Sequence, residues 1–326
     1  MSPDCPALTV TSSTPTSFQC VVATLNLFNF LAPPDAYYQF DNIYTEQQWQ
    51  KKCAWLTRFI ERIEPDILGL QEVFSIAELQ QLLTPLGYPY FACVDQPQIH
   101  DEFIYTDPVV AVASKYPITA VERLKPSIEQ LNLLNLAADF DFSRAIVRAT
   151  IRLPLLGEVD CYVLHFKSKR PTSLQHEHLL AQGLGRWLSD KRRGDEAALL
   201  SLMIHCENPV NRAVLVMGDF NDELISPLLT PLLADTQLAL QDSFSLFQQG
   251  YIGLPLTRIP THYYGANGMV LDYILLSKSF NPQASCSIAE VTDYCLYDQH
   301  LIAPQYALDS HSSDHAAVVI TINSRS

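Results

Sequence analysis

The 326-residue sequence has no CxxC pair among its eight cysteines, no internal repeat, no low-complexity tract and no Gly/Ser linker. Without such spacing, and with several of them inside apolar runs, the cysteines at 5, 20, 53, 93, 161, 206, 286 and 295 read as reduced core thiols. With no linker to divide the chain, residues 1–17, rich in Ser, Thr and Pro, read as a loose leader and 18–326 as one domain. Positive charge is scarce as well: 21 basic against 35 acidic residues give a net charge of -14, which excludes a global attraction for nucleic acid or an anionic membrane. No apolar run approaches a membrane span, and the N-terminus has neither a basic start nor an apolar h-region. A cytoplasmic monomer with no stable membrane association is expected. Hydrophobic residues at 48% are ample for a large core.

What is present is a series of short apolar segments that end in polar side chains. The clearest is Val214-Leu215-Val216-Met217, a continuous run that reads as a strand buried on both faces and stops at Gly218. Beyond it Asp219 and Asn221 are two apart, so persisting strand geometry points both to one side and Phe220 to the other. A carboxylate and a carboxamide on one side can hold a water and a phosphate oxygen together; the same residues also suit a polar turn.

Further strands are predicted over 19–27, 66–73, 109–113, 145–153, 159–165, 269–276 and 316–322, with Asp272 inside its strand and 281–313 as a long loop. The strands at 145–153 and 159–165 form an antiparallel pair across the turn at Leu156-Gly157. The acidic connection holding Asp95, Asp101, Glu102 and Asp107 reads as a solvated hairpin. Over 45–63, Trp49, Cys53, Leu56, Ile60 and Ile63 step by four, three, four and three, which predicts an amphipathic helix stopped by Pro65. A short helix follows at Ile76, and two more lie between His165 and Arg212. The first of these is expected to turn Leu180, Leu184, Trp187 and Leu188 inward, the second Leu199, Leu200, Met203 and Ile204.

Acidic, amide or imidazole residues recur at or beside the ends of these strands: Asn26, Glu72, His165, Asp219, Asn221, Asp314 and His315. Each alone is explained as a turn former or a core partner; together they have the makings of one convergent site. The set is rich in hard oxygen donors of the kind magnesium requires. Zinc would want more Cys or clustered His, and His176 and His178 form an HxH on a polar helix start with no third ligand nearby.

Asn26 in TLNLFNF, Glu72 in PDILGLQE, His165 in VLHFKSK, GDFND at 218–222, Asp272 in LDYILLS and SDH at 313–315 stand in the order that resembles the endonuclease/exonuclease/phosphatase superfamily, the deoxyribonuclease I-like fold. That resemblance implies a mixed α/β, four-layer sandwich of two packed, mostly antiparallel sheets flanked by helices. It implies metal-dependent hydrolysis of a phosphoester with Mg2+, or Mn2+ as a substitute. Asn26 and Glu72 would be metal-site residues and Asp314 a further ligand. Asp219 would orient or deprotonate the attacking water, Asn221 hold a phosphate oxygen, Asp272 orient His315, and His165 contact the scissile phosphate. Arg144 resembles an Arg that contacts phosphate in some members, with a structural salt bridge as the alternative. Two departures, Met269-Val270-Leu271 before Asp272 and Pro108-Val109-Val110-Ala111, fall where substrate preference is decided.

A nuclease acting on DNA or RNA is the leading expectation. Lys167, Lys169 and Arg170, with Lys191, Arg192 and Arg193, would form a local basic rim, or else would be solvated helix ends. The alternative is a phosphatase or phosphodiesterase for a small molecule, phosphoinositide or lipid headgroup. A catalytically inactive binding module would be expected to lack Glu72, Asp219 or His315, and all three are present.

Overall fold

The computed structural model describes residues 17–174, 179–207 and 212–325. The leader up to residue 16 and the histidines 176 and 178 lie outside the described residues. Twelve strands build two sheets. In chain order they are β1 (Gln19–Phe30), β2 (Ile67–Val73), β3 (Tyr90–Ala92), β4 (Val109–Ser114), β5 (Ile118–Arg123), β6 (Val147–Leu153), β7 (Gly157–His165), β8 (Ala213–Asp219), β9 (Gln241–Asp242), β10 (Asp272–Leu276), β11 (Ala289–Tyr297) and β12 (Ala317–Ser324).

The first sheet runs β11-β12-β1-β2-β4-β3 and the second β9-β10-β8-β7-β6-β5. Each has a single parallel pair, β1 with β2 and β7 with β8, and is otherwise antiparallel. Val22, Ile67 and Val112 of the first sheet interleave with Val147, Cys161, Leu215 and Ile274 of the second in one core. The outer face of the first sheet is covered by α1 (Glu46–Ile63) and α2 (Ile76–Leu83), that of the second by α3 (Ala181–Glu207). This is the four-layer sandwich the family resemblance implied.

Local chemistry sets these boundaries. Thr45 closes a capping box with Gln48 at the start of α1, and Glu64 ends it in the left-handed region just before Pro65. Every residue of β8 is buried, as its unbroken apolar run required. The Asp95–Asp107 connection holds the expected hairpin, Gln98–His100 with Ile104–Thr106.

Four expectations need correction. In place of two helices there is one long one, α3, over Ala181–Glu207, and Leu180, Leu184 and Trp187 face outward at 61%, 42% and 59% exposure. The inward residues there are small. A Cβ on Gly185 would lie 2.4 Å from the Thr172 carbonyl oxygen, so the backbones approach too closely for leucines to fit between them. The 281–313 segment is no plain loop, since it holds edge strand β11. The 269–276 run is broken at Val270 and Leu271, which makes Asp272 the first residue of β10. Finally, Cys20 and Cys161 are buried, whereas Cys206, Cys286 and Cys295 are exposed. Among the described residues no helix is long and apolar enough to cross a membrane.

Candidate active site

Register alone lines up three of the polar side chains. His165 of β7 pairs with Asp219 of β8, and Asp219 pairs with Asp272 of β10. Gly218 makes this approach feasible: its φ is 144°, and a Cβ there would stand 2.0 Å from the Leu164 carbonyl oxygen. Thr261 fixes the start of β10, its Oγ1 accepting the backbone N–H groups of Leu271 and Asp272 at 2.9 and 3.2 Å.

The first sheet supplies Asn26 and Glu72 from a matched irregularity. The β1–β2 register shifts between Asn26 and Phe30, and the β2–β4 register between Leu70 and Val73. Phe28, Asn29 and Glu72 have φ of 52°, 56° and 58°. The left-handed region costs a non-glycine residue roughly 1–3 kcal/mol, a strain that marks sites where geometry is dictated by function. Here it turns Glu72 so that Oε1 accepts from Asn26 Nδ2 at 3.3 Å and Oε2 from the Asn29 N–H at 3.0 Å. Asn26 Nδ2 also donates to Asp219 Oδ2 at 3.2 Å, which joins the two sheets.

The Ser313-Asp314-His315 turn closes the site. Ser313 Oγ donates to the Asn26 carbonyl at 2.6 Å and accepts the His315 N–H at 2.9 Å. His315 Nδ1 lies 2.8 Å from Asp272 Oδ2, and its Nε2 lies 3.9 Å from Asp219 Oδ2 and 4.0 Å from Asp314 Oδ1. Asn221 bends back in the left-handed region, its N–H donating to Asp219 Oδ1 at 2.8 Å. Its Nδ2 is shared between Asp219 Oδ2 and the Phe166 carbonyl, at 3.3 and 3.0 Å. Thus Asn26, Glu72, His165, Asp219, Asn221, Asp272, Asp314 and His315 converge.

Burial and charge divide their protonation states. Burial would lower the His315 pKa, but the carboxylates of Asp272 and Asp219 outweigh it and hold the ring charged, well above the ordinary imidazole value. His165 is held neutral, well below that value, by burial and then by the Arg144 charge; its Nε2 lies 3.4 Å from Asp219 Oδ2. The Asp219 carboxyl is pushed up to about 7, first by burial and then by the Asp272 charge. One elevated carboxylate, one neutral imidazole and one imidazolium meet at this point, a division that suits acid–base work near neutrality.

His262 and Lys52 were missed in the sequence. The His262 ring lies tilted against that of His315, centroids 4.7 Å apart, with Nε2 3.9 Å from Asp314 Oδ2, and its pKa falls to about 4 through burial and the His315 charge. Only the β-bridge between His262 and His315 brings them together, and nothing in a lone His after Thr261 announces it. Lys52, one turn of α1 before Leu56, is buried with its ammonium over the Phe28 and Tyr44 rings, and burial lowers it to about 8.

The basic residues are more constrained than a rim would be. Lys167 Nζ donates to the Ser168 and Arg170 carbonyls, Lys169 pairs with Asp222 at 3.1 Å, and Arg170 lies over Tyr38. Arg193 is buried against Asp190 and Asp222, Arg192 bonds Glu196, and Lys191 bonds Asp195, so each of the three is engaged by a carboxylate. Arg144 donates to the same Phe166 carbonyl as Asn221 and therefore stands at the edge of the cluster.

The donor set fits a hard divalent cation. Glu72 and Asp314 are partly exposed carboxylates on the open side of the cluster. Asn26 Oδ1 accepts the Phe28 N–H at 2.9 Å, which fixes the carboxamide orientation and makes Asn26 a positioning group for the two carboxylates it touches. Ligating atoms also lie within 4.8 Å of one another in Asp219–Asp272–His315 and in His262–Asp314–His315. Both sets include the His315 ring, whose Nδ1 is already bonded to Asp272 Oδ2.

Two packed sheets whose strand ends gather this constellation define a class of phosphoester hydrolases. The sequence profile of the endonuclease/exonuclease/phosphatase family matches residues 50–315, and the chain belongs to that family. In fold it is similar to the human Nocturnin catalytic domain with bound sulfate anion, at 17% identity over 94% of this chain and 95% of that one, TM-score 0.58. It is likewise similar to humanized D. rerio TDP2, at 12% identity over 93% and 98% of the two chains, TM-score 0.58. For the endonuclease/exonuclease/phosphatase from Bacteroides vulgatus the figures are 17%, 94%, 98% and 0.56. No curated protein matches the chain.

Proposed function

We propose that the protein is a divalent-metal-dependent phosphodiesterase of the nuclease type, a cytoplasmic monomer that uses magnesium. The observation that carries this reading is the bonded chain Glu72–Asn26–Asp219 beside Asp272–His315, which links both sheets through side chains alone. A phosphodiester repels an incoming nucleophile by its own charge; a bound cation would neutralise that charge. Glu72 and Asp314 would hold it. Asp219, poised near neutrality, takes the proton of a water aligned opposite the leaving oxygen. His315 keeps its positive ring toward the charge that builds on phosphorus, and His165 contributes a neutral N–H donor. The cytoplasmic address is supported by the seven described cysteines, all free thiols. The sulfate bound by the Nocturnin domain has the shape of phosphate, which agrees with an oxyanion site in this fold.

The test is hydrolysis of DNA, RNA, phosphomonoester and phospholipid panels with magnesium and in chelator. Glu72→Gln is expected to raise the magnesium concentration needed for half-maximal rate at least ten-fold while changing substrate binding little. Full activity in excess chelator would remove the metal from the account.

A small-molecule phosphatase is the second reading, favoured by the way Lys167, Lys169 and Arg170 are tied to carbonyls, Asp222 and Tyr38. Replacing all three by Ala should flatten the salt dependence of polynucleotide binding by about two to three counterions' worth of slope if they grip phosphates. An unchanged slope, with small phosphoesters hydrolysed normally, would favour the phosphatase.

A further inference from the structure

We infer that the cavity beside Asp314 takes an uncharged aromatic base at the end of the substrate, so that the enzyme acts at chain ends or on dinucleotides rather than within long strands. The inference rests on the phosphodiester reading above. The cavity has a volume of about 420 Å³, within the roughly 300–1,000 Å³ of small-molecule sites. It lies between the segment 37–44 and the turn 309–314, with Asp314 in its lining.

Apart from Ile43, its apolar lining is aromatic. Tyr37 and Tyr44 have ring centroids 5.4 Å apart, His311 stands edge-on to Tyr44 at 6.2 Å, and Phe28 is 39% exposed two residues from Asn26. The left-handed turn at Phe28 and Asn29 that aims Glu72 also places this ring beside the reacting centre. Tyr44 is buried behind Tyr37, so the rings that can offer stacking to a planar base are those of Phe28, Tyr37 and His311.

The charged lining is acidic: Asp41, Asp309 and Asp314, with no Lys or Arg among the lining residues. Lys52 is only 3% exposed and stands behind Phe28 and Tyr44, and Lys51 lies over the Tyr306 ring. Beyond the metal-site carboxylate Asp314, a phosphate entering here would face Asp41 and Asp309, whereas the amino edge of a base would find acceptors in them. Cations gather on another side. The adjacent Tyr38 carries Arg170 over its ring, and Arg144 and Lys167 stand beside His165. Tyr37 thus lines an acidic aromatic arm, whereas Tyr38, next in the chain, lies under Arg170 on the cationic side. A strand passing through would have to lay a phosphate in the acidic arm; a strand that ends there lays only its base.

The deciding experiment compares turnover of dinucleoside monophosphates that lack the base at either end in turn, or carry a terminal phosphate there, and of linear against circular single strands. Loss of the base at one particular end, or a phosphate on that same end, should lower kcat/KM roughly ten-fold or more. Circular strands should resist. The surface variant Asp41→Lys should recover part of the loss for the end-phosphorylated substrate. Circular strands cut as fast as linear ones, or end effects within two-fold, would overturn the proposal. Binding of adenosine to the metal-free protein, followed by saturation-transfer NMR, separates this from the hydrolytic reading. Binding lost in Tyr37→Ala sustains the cavity assignment even if no phosphodiester is cut. Absence of binding to the wild type refutes it even if phosphodiesters are cut.

Discussion

Asp219→Asn is expected to lower kcat by about 10²- to 10⁴-fold, the contribution typical of a positioned general base, without loosening the fold. The carboxylate it replaces is 2% exposed and lies between Asn26, His165, Asn221 and His315. Its pKa is raised from an ordinary 3.8 to about 7, by burial and then by Asp272. A carboxyl whose folded pKa lies above its unfolded one binds its proton more tightly when folded, so raising the pH from about 4 to about 7 removes stability. Asparagine escapes that loss. The stability of the variant relative to the wild type should therefore rise between pH 4 and pH 8, on top of a pH-independent cost for turning an amide NH2 toward the donors of Asn26 or Asn221. Denaturant midpoints in chelator at pH 5 and pH 8 read this directly. Wild-type turnover by the variant would withdraw the base role, and a stability difference that did not grow with pH would mean the carboxyl ionises in the fold as it does in solution.

Such a group was legible in the sequence because β8 announces itself: an apolar run that stops at glycine leaves the next polar side chains at a core boundary. Glu72 and His165 were visible for the same reason, at the ends of buried strands. Strand ends that are long and apolar carry their own address; contacts made across the fold do not. His262 meets His315 only through an isolated β-bridge, and Lys52 looks from its helix like one of many solvated lysines until Phe28 and Tyr44 close over it. Edge strand β11 was hidden because its burial is uneven and its register shifts between Val291 and Asp293. The outward leucines of α3 misled for the opposite reason. Periodicity reports that a helix has an apolar stripe, but close approach at Gly185 and Ser189 decides which side packs. The basic residues near His165 could be counted in the sequence, while their engagement by Asp222, Glu196 and backbone carbonyls could not.

The remaining large effect concerns Asp272→Asn, which should move the alkaline limb of the kcat/KM profile to lower pH as the rate falls. Asp272 is fully buried at the start of β10, where an ionised carboxylate is costly unless paired, and its Oδ2 lies 2.8 Å from His315 Nδ1. His315 is itself buried, which would lower its pKa; the Asp272 carboxylate is the chief influence that reverses this, and Asp219 adds to it. Replacing the carboxylate by an amide leaves a neutral partner for the ring and lets burial dominate. The imidazolium would then lose its proton at lower pH, and with it the positive group facing phosphorus. The stability linkage has the opposite sign to that of Asp219: a histidine raised on folding stabilises fully below its unfolded pKa of about 6.5 and loses that contribution as pH rises through the folded value. Asp272→Asn should therefore be less stable than the wild type below pH 6, with the gap narrowing at high pH. Profiles measured with magnesium saturating at every pH separate this from a merely structural carboxylate. In that case the variant would be uniformly less stable and its alkaline limb would stay where the wild type has it.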